Sequence, residues 1–156
     1  MRRTRRKDPA GRPRVVETEV RVRYAETDAM GVAHHTSFLV WFEVGRTEYT
    51  RAVGLPYRDV EANGVRLVVV EASCRFVRPA RYDDRVLIRT RLVDVSKATL
   101  TFGYEVLRRP EGALLGEGQT VHAATDLAGR VRRIPEEVRT ALGAAGGTIR
   151  RSTNNP

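Results

Sequence analysis

The sequence has little of several residue types, and each shortage narrows the possible functions. Its 156 residues hold one cysteine, Cys74, so no disulfide can form within the chain and a reducing cytoplasm is the expected compartment. No apolar run is long enough to cross a membrane, and no apolar segment follows the basic N-terminus, so we expect no secretory signal. A glycine-rich phosphate loop and ligands at zinc spacing are also missing, so we predict neither cofactor nor metal.

Lysine is scarce as well, since it occurs only at Lys7 and Lys97, and arginine supplies nearly all of the positive charge. The net charge is +9, but residues 1–14 hold seven basic residues against one aspartate, and residues 143–156 add two arginines. The body between these tails is nearly neutral, so a nucleic-acid partner is not expected for it. We predict a disordered basic arm at 1–14, one domain at 15–142 and a disordered tail at 143–156.

The chain is organised around a tight polar turn that leads into an apolar helix. Aromatic and small residues recur at helical spacing and give this helix a wide apolar face, namely Phe38, Trp41, Phe42, Gly45, Tyr49 and Ala52. We expect Thr36 or Ser37 to cap its N-terminus and Gly54 to end it in a left-handed conformation.

Five segments alternate apolar and polar residues or are strongly apolar, which predicts strands at 15–24, 65–77, 85–95, 98–108 and 113–125. A short helix is expected around Tyr57–Glu61, and Pro135 opens another that Gly143 ends. The turns between the later strands are short, which favours antiparallel pairing. The fold class is therefore α+β, with one long helix against a curved antiparallel sheet. One helix leaves part of such a sheet uncovered, so we expect a two-fold homodimer, with a homotetramer as the next assembly.

Asp28 precedes the central helix, whose free backbone N–H groups form a positive dipole end of roughly half an elementary charge. We expect a carboxylate beside such groups to carry out chemistry, although an aspartate in a turn can also serve only to satisfy backbone N–H groups. Gly31 allows the backbone to turn tightly and leaves room for a substrate.

The motif and the order of elements resemble the hotdog-fold acyl-CoA thioesterases of the 4-hydroxybenzoyl-CoA thioesterase family. The similarity spans roughly Val16 to Leu142. The residues that carry it are Tyr24, Thr27, Asp28, Gly31, His35, Phe38, Trp41, Phe42, Glu43 and Arg46, with later matches at Arg78-Pro79, Tyr82-Asp83-Asp84, Ser96-Lys97 and Ile134-Pro135-Glu136.

The resemblance implies hydrolysis of an acyl-CoA thioester to a free acid and coenzyme A. It assigns Asp28 as the catalytic carboxylate, either as nucleophile or as general base. It assigns the oxyanion donor to the backbone N–H at His35, while a proton-transfer role for the His35 side chain stays open. Tyr24 is a candidate for the acyl pocket or for closing the sheet. Gly31 completes the catalytic turn.

For the coenzyme portion, the resemblance points to Ser96 and Lys97 in a strand turn, and coenzyme A is expected to lie along the subunit interface. Glu71, on a strand that should face the neighbouring subunit, is a weaker candidate for orienting water or the helix.

Several neighbouring residues have simpler interpretations. We expect Glu43 and Arg46, three apart on the helix, to pair with each other, and His34 to point away from His35. Cys74 reads as a small buried residue.

Two other functions stay open from the sequence. One is hydrolysis of acyl groups carried by acyl carrier protein, which the arginine-rich surface would favour. The other is non-catalytic binding of acyl-CoA, or of nucleic acid through residues 1–14.

Overall fold

One apolar helix and one antiparallel sheet make up most of the fold that a computed structural model describes for residues 14–144. The predicted basic arm and tail lie almost wholly outside these residues. No helix in the described part of the chain is long and apolar enough to cross a membrane. The cytoplasmic location stays a prediction.

Helix α1, His35–Ala52, buries the apolar face that its spacing predicts. Phe38, Trp41, Phe42 and Tyr49 are at most 3% exposed. Gly45 lies where the helix crosses the sheet, and a Cβ atom there would come 2.8 Å from the Ile88 side chain. Glycine inside a helix costs about 0.5–1 kcal/mol relative to alanine. Here it lets the helix axis approach the sheet closely.

The predicted C-terminal end of α1 is confirmed, but the predicted N-terminal cap is not. Val53 caps the C-terminus, and Gly54 follows in the left-handed conformation with φ +85°, as predicted. At the N-terminus the prediction of Thr36 or Ser37 as cap is wrong. His34 is the cap, because its ring nitrogen accepts a hydrogen bond from the Thr36 N–H.

The five predicted strands are confirmed, and all their pairings are antiparallel. Their bounds are β1 Val15–Arg21, β2 Arg66–Phe76, β3 Arg85–Val95, β4 Thr99–Arg108 and β5 Ala113–Thr125. They form one sheet in the order β1-β3-β4-β5-β2. β1 is shorter than predicted, because Tyr24–Glu26 forms a single 3-10 turn in which the Glu26 carboxylate accepts from the Arg23 N–H at 2.8 Å.

Two short helices complete the fold. α2, Tyr57–Ala62, lies where the sequence predicts it. α3, Glu136–Ala144, begins after Pro135 as expected but passes through Gly143, so the predicted stop at that glycine is wrong.

Close contacts fix α1 against the middle of the sheet. Phe42 stacks on Tyr104 of β4, with ring centroids 4.2 Å apart and planes at 6°. Its ring also covers Gly118 of β5, where a Cβ atom would come 2.8 Å from it, and Phe38 covers Gly116 in the same way at 2.9 Å. Losing a buried aromatic ring of this kind typically costs about 3–5 kcal/mol.

A chain of polar side chains crosses this core. The Tyr104 and Thr120 hydroxyls lie 2.6 Å apart, and the Thr120 hydroxyl lies 2.8 Å from Nε2 of His122. All three residues are at most 2% exposed. Burial lowers the pKa of His122 to about 4, and the nearby Arg46 charge acts in the same direction, against a hydrogen bond to the Leu67 backbone. His122 is therefore neutral at physiological pH.

The buried neutral histidine makes stability depend on pH. Unfolding returns His122 to an ordinary pKa of about 6.5, so the unfolded chain binds more protons than the native one as pH falls from that value toward 4. We expect this residue to remove up to about 3 kcal/mol of unfolding free energy across that window. Urea unfolding of wild type and His122→Gln at several pH values measures it. Parallel pH profiles for the two proteins would contradict the assignment.

Candidate active site

The loop that carries Asp28 is held by its own hydrogen bonds. The Asp28 N–H donates to the Val32 carbonyl at 2.8 Å, and the Gly31 N–H donates to the Asp28 carbonyl at 3.0 Å. One carboxylate oxygen, Oδ1, accepts from the N–H groups of Met30 at 2.8 Å and Val32 at 3.4 Å. The other oxygen, Oδ2, has no hydrogen-bond donor among the described residues. Asp28 is half-buried.

Gly31 supports this loop through its backbone conformation. Its φ is +77°, a region that side chains disfavour. A Cβ atom at this position would meet nothing within 4 Å in the chain. The turn therefore explains the glycine, and its predicted role in admitting substrate stays a prediction.

The same loop occurs a second time, at Asp126 after β5. Asp126 Oδ1 accepts from the N–H groups of Ala128 and Arg130, both at 2.9 Å. Gly129 follows with φ +83° and donates to the Asp126 carbonyl at 3.1 Å. Holding such a turn is thus an ordinary structural task for an aspartate. What sets Asp28 apart is the long helix that begins a few residues later.

The first turn of α1 presents a free backbone donor next to this loop. The His34 N–H donates to the Glu26 carbonyl at 2.7 Å, and the Thr36 N–H donates to Nδ1 of His34 at 3.2 Å. Between them, the His35 N–H has no acceptor in the part of the chain that the structure describes. An unpaired N–H at a helix start carries the positive end of the helix dipole.

The histidine pair differs from the sequence prediction. The rings of His34 and His35 do not diverge, and their centroids lie 4.1 Å apart with planes at 30°. His34 uses Nδ1 for the cap, while the exposed ring of His35 meets the edge of Phe76, 6.3 Å away. Phe76, at the end of β2, is a neighbour of the site that sequence reasoning missed.

Glu26 binds the Asp28 loop to α1 through hydrogen bonds, and the sequence analysis did not identify this residue. Its carboxylate accepts from the Trp41 indole N–H at 3.1 Å, and its carbonyl accepts from the Ser37 hydroxyl at 3.1 Å. One residue therefore binds both the capping turn before Asp28 and two successive turns of α1. The Arg23-x-x-Glu26 spacing, typical of a capping interaction, was the available signal.

Tyr24 lies near the same end of the molecule but is 79% exposed. Its ring meets Tyr82 edge-on, with centroids 5.8 Å apart. Its role against an acyl group stays a prediction.

Three predicted substrate contacts lie elsewhere in the chain. Ser96 and Lys97 follow β3, whose other end adjoins the Asp28 region through the Val32–Arg81 bridge. At about 3.3 Å per residue, the length of β3 separates the two ends by about 30 Å. Glu71 is exposed near the middle of β2, five residues before Phe76. One chain alone does not bring these residues to Asp28.

The Ser96 hydroxyl is already engaged in its turn. It accepts from the Thr99 N–H at 3.0 Å and lies 2.5 Å from the Thr99 hydroxyl. The neighbouring Lys97 fixes the turn to the start of the α3 segment, since its carbonyl accepts from the Ile134 N–H at 2.8 Å.

The predicted pairing of Glu43 with Arg46 is wrong: these two described side chains form no salt bridge within 4.0 Å. Arg46 instead lies near Tyr104 and His122. Burial raises the pKa of the Tyr104 hydroxyl, whereas the Thr120 hydrogen bond and the Arg46 charge oppose that rise.

Cys74 is half-buried on β2. Burial raises the pKa of its thiol to about 11, so the reactive thiolate is rare at neutral pH and the residue is unsuited to act as a nucleophile. Among the described residues, no group of three or more histidine, cysteine, aspartate or glutamate side chains is placed to hold a metal ion.

Comparison with known proteins identifies the fold and the family. Residues 22–142 match the model of the Thioesterase-like superfamily. The chain belongs to this family. It is 31% identical over 120 residues to the acyl-CoA thioester hydrolase YbgC of Escherichia coli O157:H7, a match that covers 76% of this chain and 89% of YbgC. The resemblance seen in the sequence is confirmed, as is the class of thioester hydrolase.

Two further likenesses bear on fold and substrate carrier. The crystal structure of protein TT1821 from Thermus thermophilus superposes with a TM-score of 0.79 at 44% identity, over 84% of this chain and 97% of that one. The acyl-acyl carrier protein thioesterase ATL3 of Arabidopsis thaliana is 26% identical over 80% of this chain and 65% of its own length. The predicted hotdog fold, with one helix against a curved antiparallel sheet, is confirmed.

Proposed function

We propose that the protein hydrolyses an acyl-CoA thioester to a free acid and coenzyme A, with Asp28 as its catalytic carboxylate. The observation that carries this proposal is that a carboxylate oxygen, Oδ2 of Asp28, and the backbone N–H of His35 at the start of α1 both lack a hydrogen-bond partner among the described residues. Thioester hydrolysis needs both a group that delivers oxygen to the carbonyl carbon and a donor that stabilises the oxyanion.

The two carboxylate oxygens of Asp28 have different roles in this mechanism. Oδ1 is held by two backbone N–H groups, which fixes the carboxylate. Oδ2 either removes a proton from the attacking water or attacks the carbonyl carbon itself. In the first route, hydroxide oxygen adds to the carbon and the C–S bond then breaks to release the thiolate. In the second, the C–S bond breaks to leave a mixed anhydride, which water hydrolyses.

The His35 N–H stabilises the negative charge that develops on the carbonyl oxygen in either route. Removing one such donor typically costs about 3 kcal/mol of transition-state stabilisation. The donor is a backbone group whose position follows from the cap and from the Glu26–Trp41 hydrogen bond. It needs no reorganisation when the charge appears, and the His35 side chain is free to vary.

The proposal includes a homodimer formed through β2. Among the described strands β2 pairs with β5 alone, so one of its edges is free, and its side chains Val68, Val69 and Val70 are exposed. An exposed apolar edge strand is a site of association. Two-fold pairing of β2 edges runs the strands antiparallel, so the Phe76 end of one subunit lies beside the Arg66 end of the other.

That arrangement supports the predicted contacts of Ser96 and Lys97. Their turn lies at the same end of the sheet as Arg66, since Arg66 pairs with Thr125 and Thr99 pairs with Ala123. In the dimer this end approaches the Asp28 region of the other subunit. Coenzyme A then lies along the interface, and assembly of two dimers into a tetramer remains a further part of the proposal.

Asp28→Asn tests the chemistry, and Asp126→Asn is its matched control. Both substitutions keep a side-chain oxygen for the turn, and the two loops have the same hydrogen-bond pattern. We expect Asp28→Asn to lower kcat/KM on an acyl-CoA panel by about 10²–10⁴-fold, with the unfolding free energy little changed. Asp126→Asn should retain the wild-type rate. Equal rates for the two variants would show that Asp28 only holds its turn.

The edge-strand dimer predicts a coupled loss of assembly and activity. Val68→Lys/Val70→Lys places two charges along the free edge of β2, where pairing would bury them at high cost. We expect the mass from light scattering to fall to that of one chain, with thioesterase activity falling in parallel. A variant that is monomeric and fully active would exclude a site completed by the second subunit.

Acyl carrier protein is the alternative carrier, favoured by the likeness to ATL3 and by the surplus of arginine. Rates measured with one acyl group on both carriers separate the two. We expect a higher kcat/KM for the coenzyme A thioester, because its nucleotide phosphates can reach Lys97. A preference for the carrier protein would reassign the substrate. Tight acyl-CoA binding without turnover would indicate the non-catalytic function.

A further inference from the structure

A polar cavity lies beside the C-terminal half of α1, away from Asp28. It has a volume of about 240 Å³ and is lined by Glu43, Arg46, Thr47, Thr50, Tyr57, Leu67, Phe102 and His122. This is far more space than one water molecule needs. The lining residues of α1 begin eight positions after His35, about 12 Å along the helix axis. In between, Phe38 and Phe42 fill the space between helix and sheet.

Arg46 brings a positive charge to this cavity without a matching carboxylate. It forms no salt bridge with the described part of the chain, and its charge acts on both the Tyr104 hydroxyl and the His122 ring. His122 cannot balance this charge, because its ring is either neutral or positively charged. Glu43 also lines the cavity, but it is exposed at the rim, where water weakens its influence.

The other polar groups that line the cavity include one available hydrogen-bond donor. The Tyr57 hydroxyl oxygen accepts from the Leu67 N–H at 3.3 Å, which leaves its proton available. The Thr50 hydroxyl already donates to the Thr47 carbonyl at 3.0 Å. The walls nearby are the apolar Leu67 and the ring of Phe102, which meets His122 edge-on at 5.6 Å. The cavity therefore offers hydrogen-bond donors beside an apolar wall.

We propose that this cavity binds a carboxylate carried on a small apolar group, with Arg46 holding the carboxylate and Leu67 and Phe102 contacting the apolar part. A guanidinium matches a carboxylate through two parallel hydrogen bonds. The carboxylate belongs to a free acid, because Phe38 and Phe42 separate this cavity from the Asp28 region. Binding of a free acid here does not depend on the proposed function.

Direct binding of benzoate tests the site, with benzyl alcohol as its neutral counterpart. Calorimetric titration of wild type should show saturable benzoate binding and weaker binding of benzyl alcohol. Arg46→Gln should weaken benzoate binding by about tenfold or more, since a hydrogen-bonded charge is lost. Arg46→Lys should keep part of the affinity. Glu43→Gln should tighten binding, because it removes a like charge from the rim.

Opposite effects of two substitutions three residues apart exclude a general loss of structure. The proposal is overturned if Arg46→Gln binds benzoate as tightly as wild type does, if benzyl alcohol binds equally well, or if Glu43→Gln weakens binding. It is also overturned if Asp28→Asn abolishes benzoate binding while Arg46→Gln does not, since the benzoate would then occupy the catalytic site.

Kinetics test whether the carboxylate belongs to a free acid. Arg46→Gln should leave the ratio of kcat/KM for glutaryl-CoA to that for valeryl-CoA unchanged while benzoate binding is lost. A selective fall in the rate with glutaryl-CoA would show that the carboxylate of the acyl group reaches Arg46 and would overturn the assignment to a free acid. Should neither thioester be hydrolysed by wild type, the proposed hydrolase function fails, and the benzoate titrations still decide whether the cavity is a carboxylate site.

Discussion

The close approach of α1 to the sheet is the constraint on which the rest of the structure depends. Gly45 on the helix and Gly116 and Gly118 on β5 leave no room for a side chain at the points of contact. Because protein interiors are packed to crystal-like density, helix and sheet can shift little against each other. The position of the first backbone N–H of α1 therefore follows from packing that occurs several turns away.

The hydrogen bonds of Glu26 fix the Asp28 loop relative to α1, whose own position is fixed by its packing against the sheet. They connect Glu26 to Trp41 inside the core and to Ser37 in the first turn of α1, so the position of the loop relative to the helix is fixed at two points. A carboxylate and a donor that belong to different elements are thus held together by one side chain and one carbonyl. Electrostatic stabilisation depends on this kind of preorganisation.

Periodicity in the sequence was enough to predict most of the fold. The strands and the apolar face of α1 follow from alternation and helical spacing, which depend on local geometry. The failures arose where tertiary contacts compete with local preference. His34 caps the helix although Thr36 and Ser37 are better capping residues, because the Ser37 hydroxyl donates to Glu26 instead. Arg46 lies near the Tyr104 hydroxyl and forms no salt bridge with Glu43.

For the candidate site, the sequence was enough to predict which residues near one another in the chain lie together, but not how residues distant in the chain reach them. Asp28, Gly31 and His35 lie within one short segment, so their proximity is a matter of chain connectivity. Ser96 and Lys97 lie at the far end of the sheet, and no pattern in one chain reveals which end of a second copy meets them. Phe76 was missed for a related reason, since only strand pairing brings it to His35.

The duplicated aspartate–glycine turn has a consequence for how such proteins are recognised. Two loops of one chain share a hydrogen-bond pattern and a left-handed glycine, yet only one stands at the head of a long buried helix. A search for the short motif alone would retrieve both and assign chemistry to a plain connector. If the proposed function holds, the reactivity of such a loop depends on its position: the same five-residue turn acts in catalysis where unpaired backbone N–H groups at a helix start lie near it.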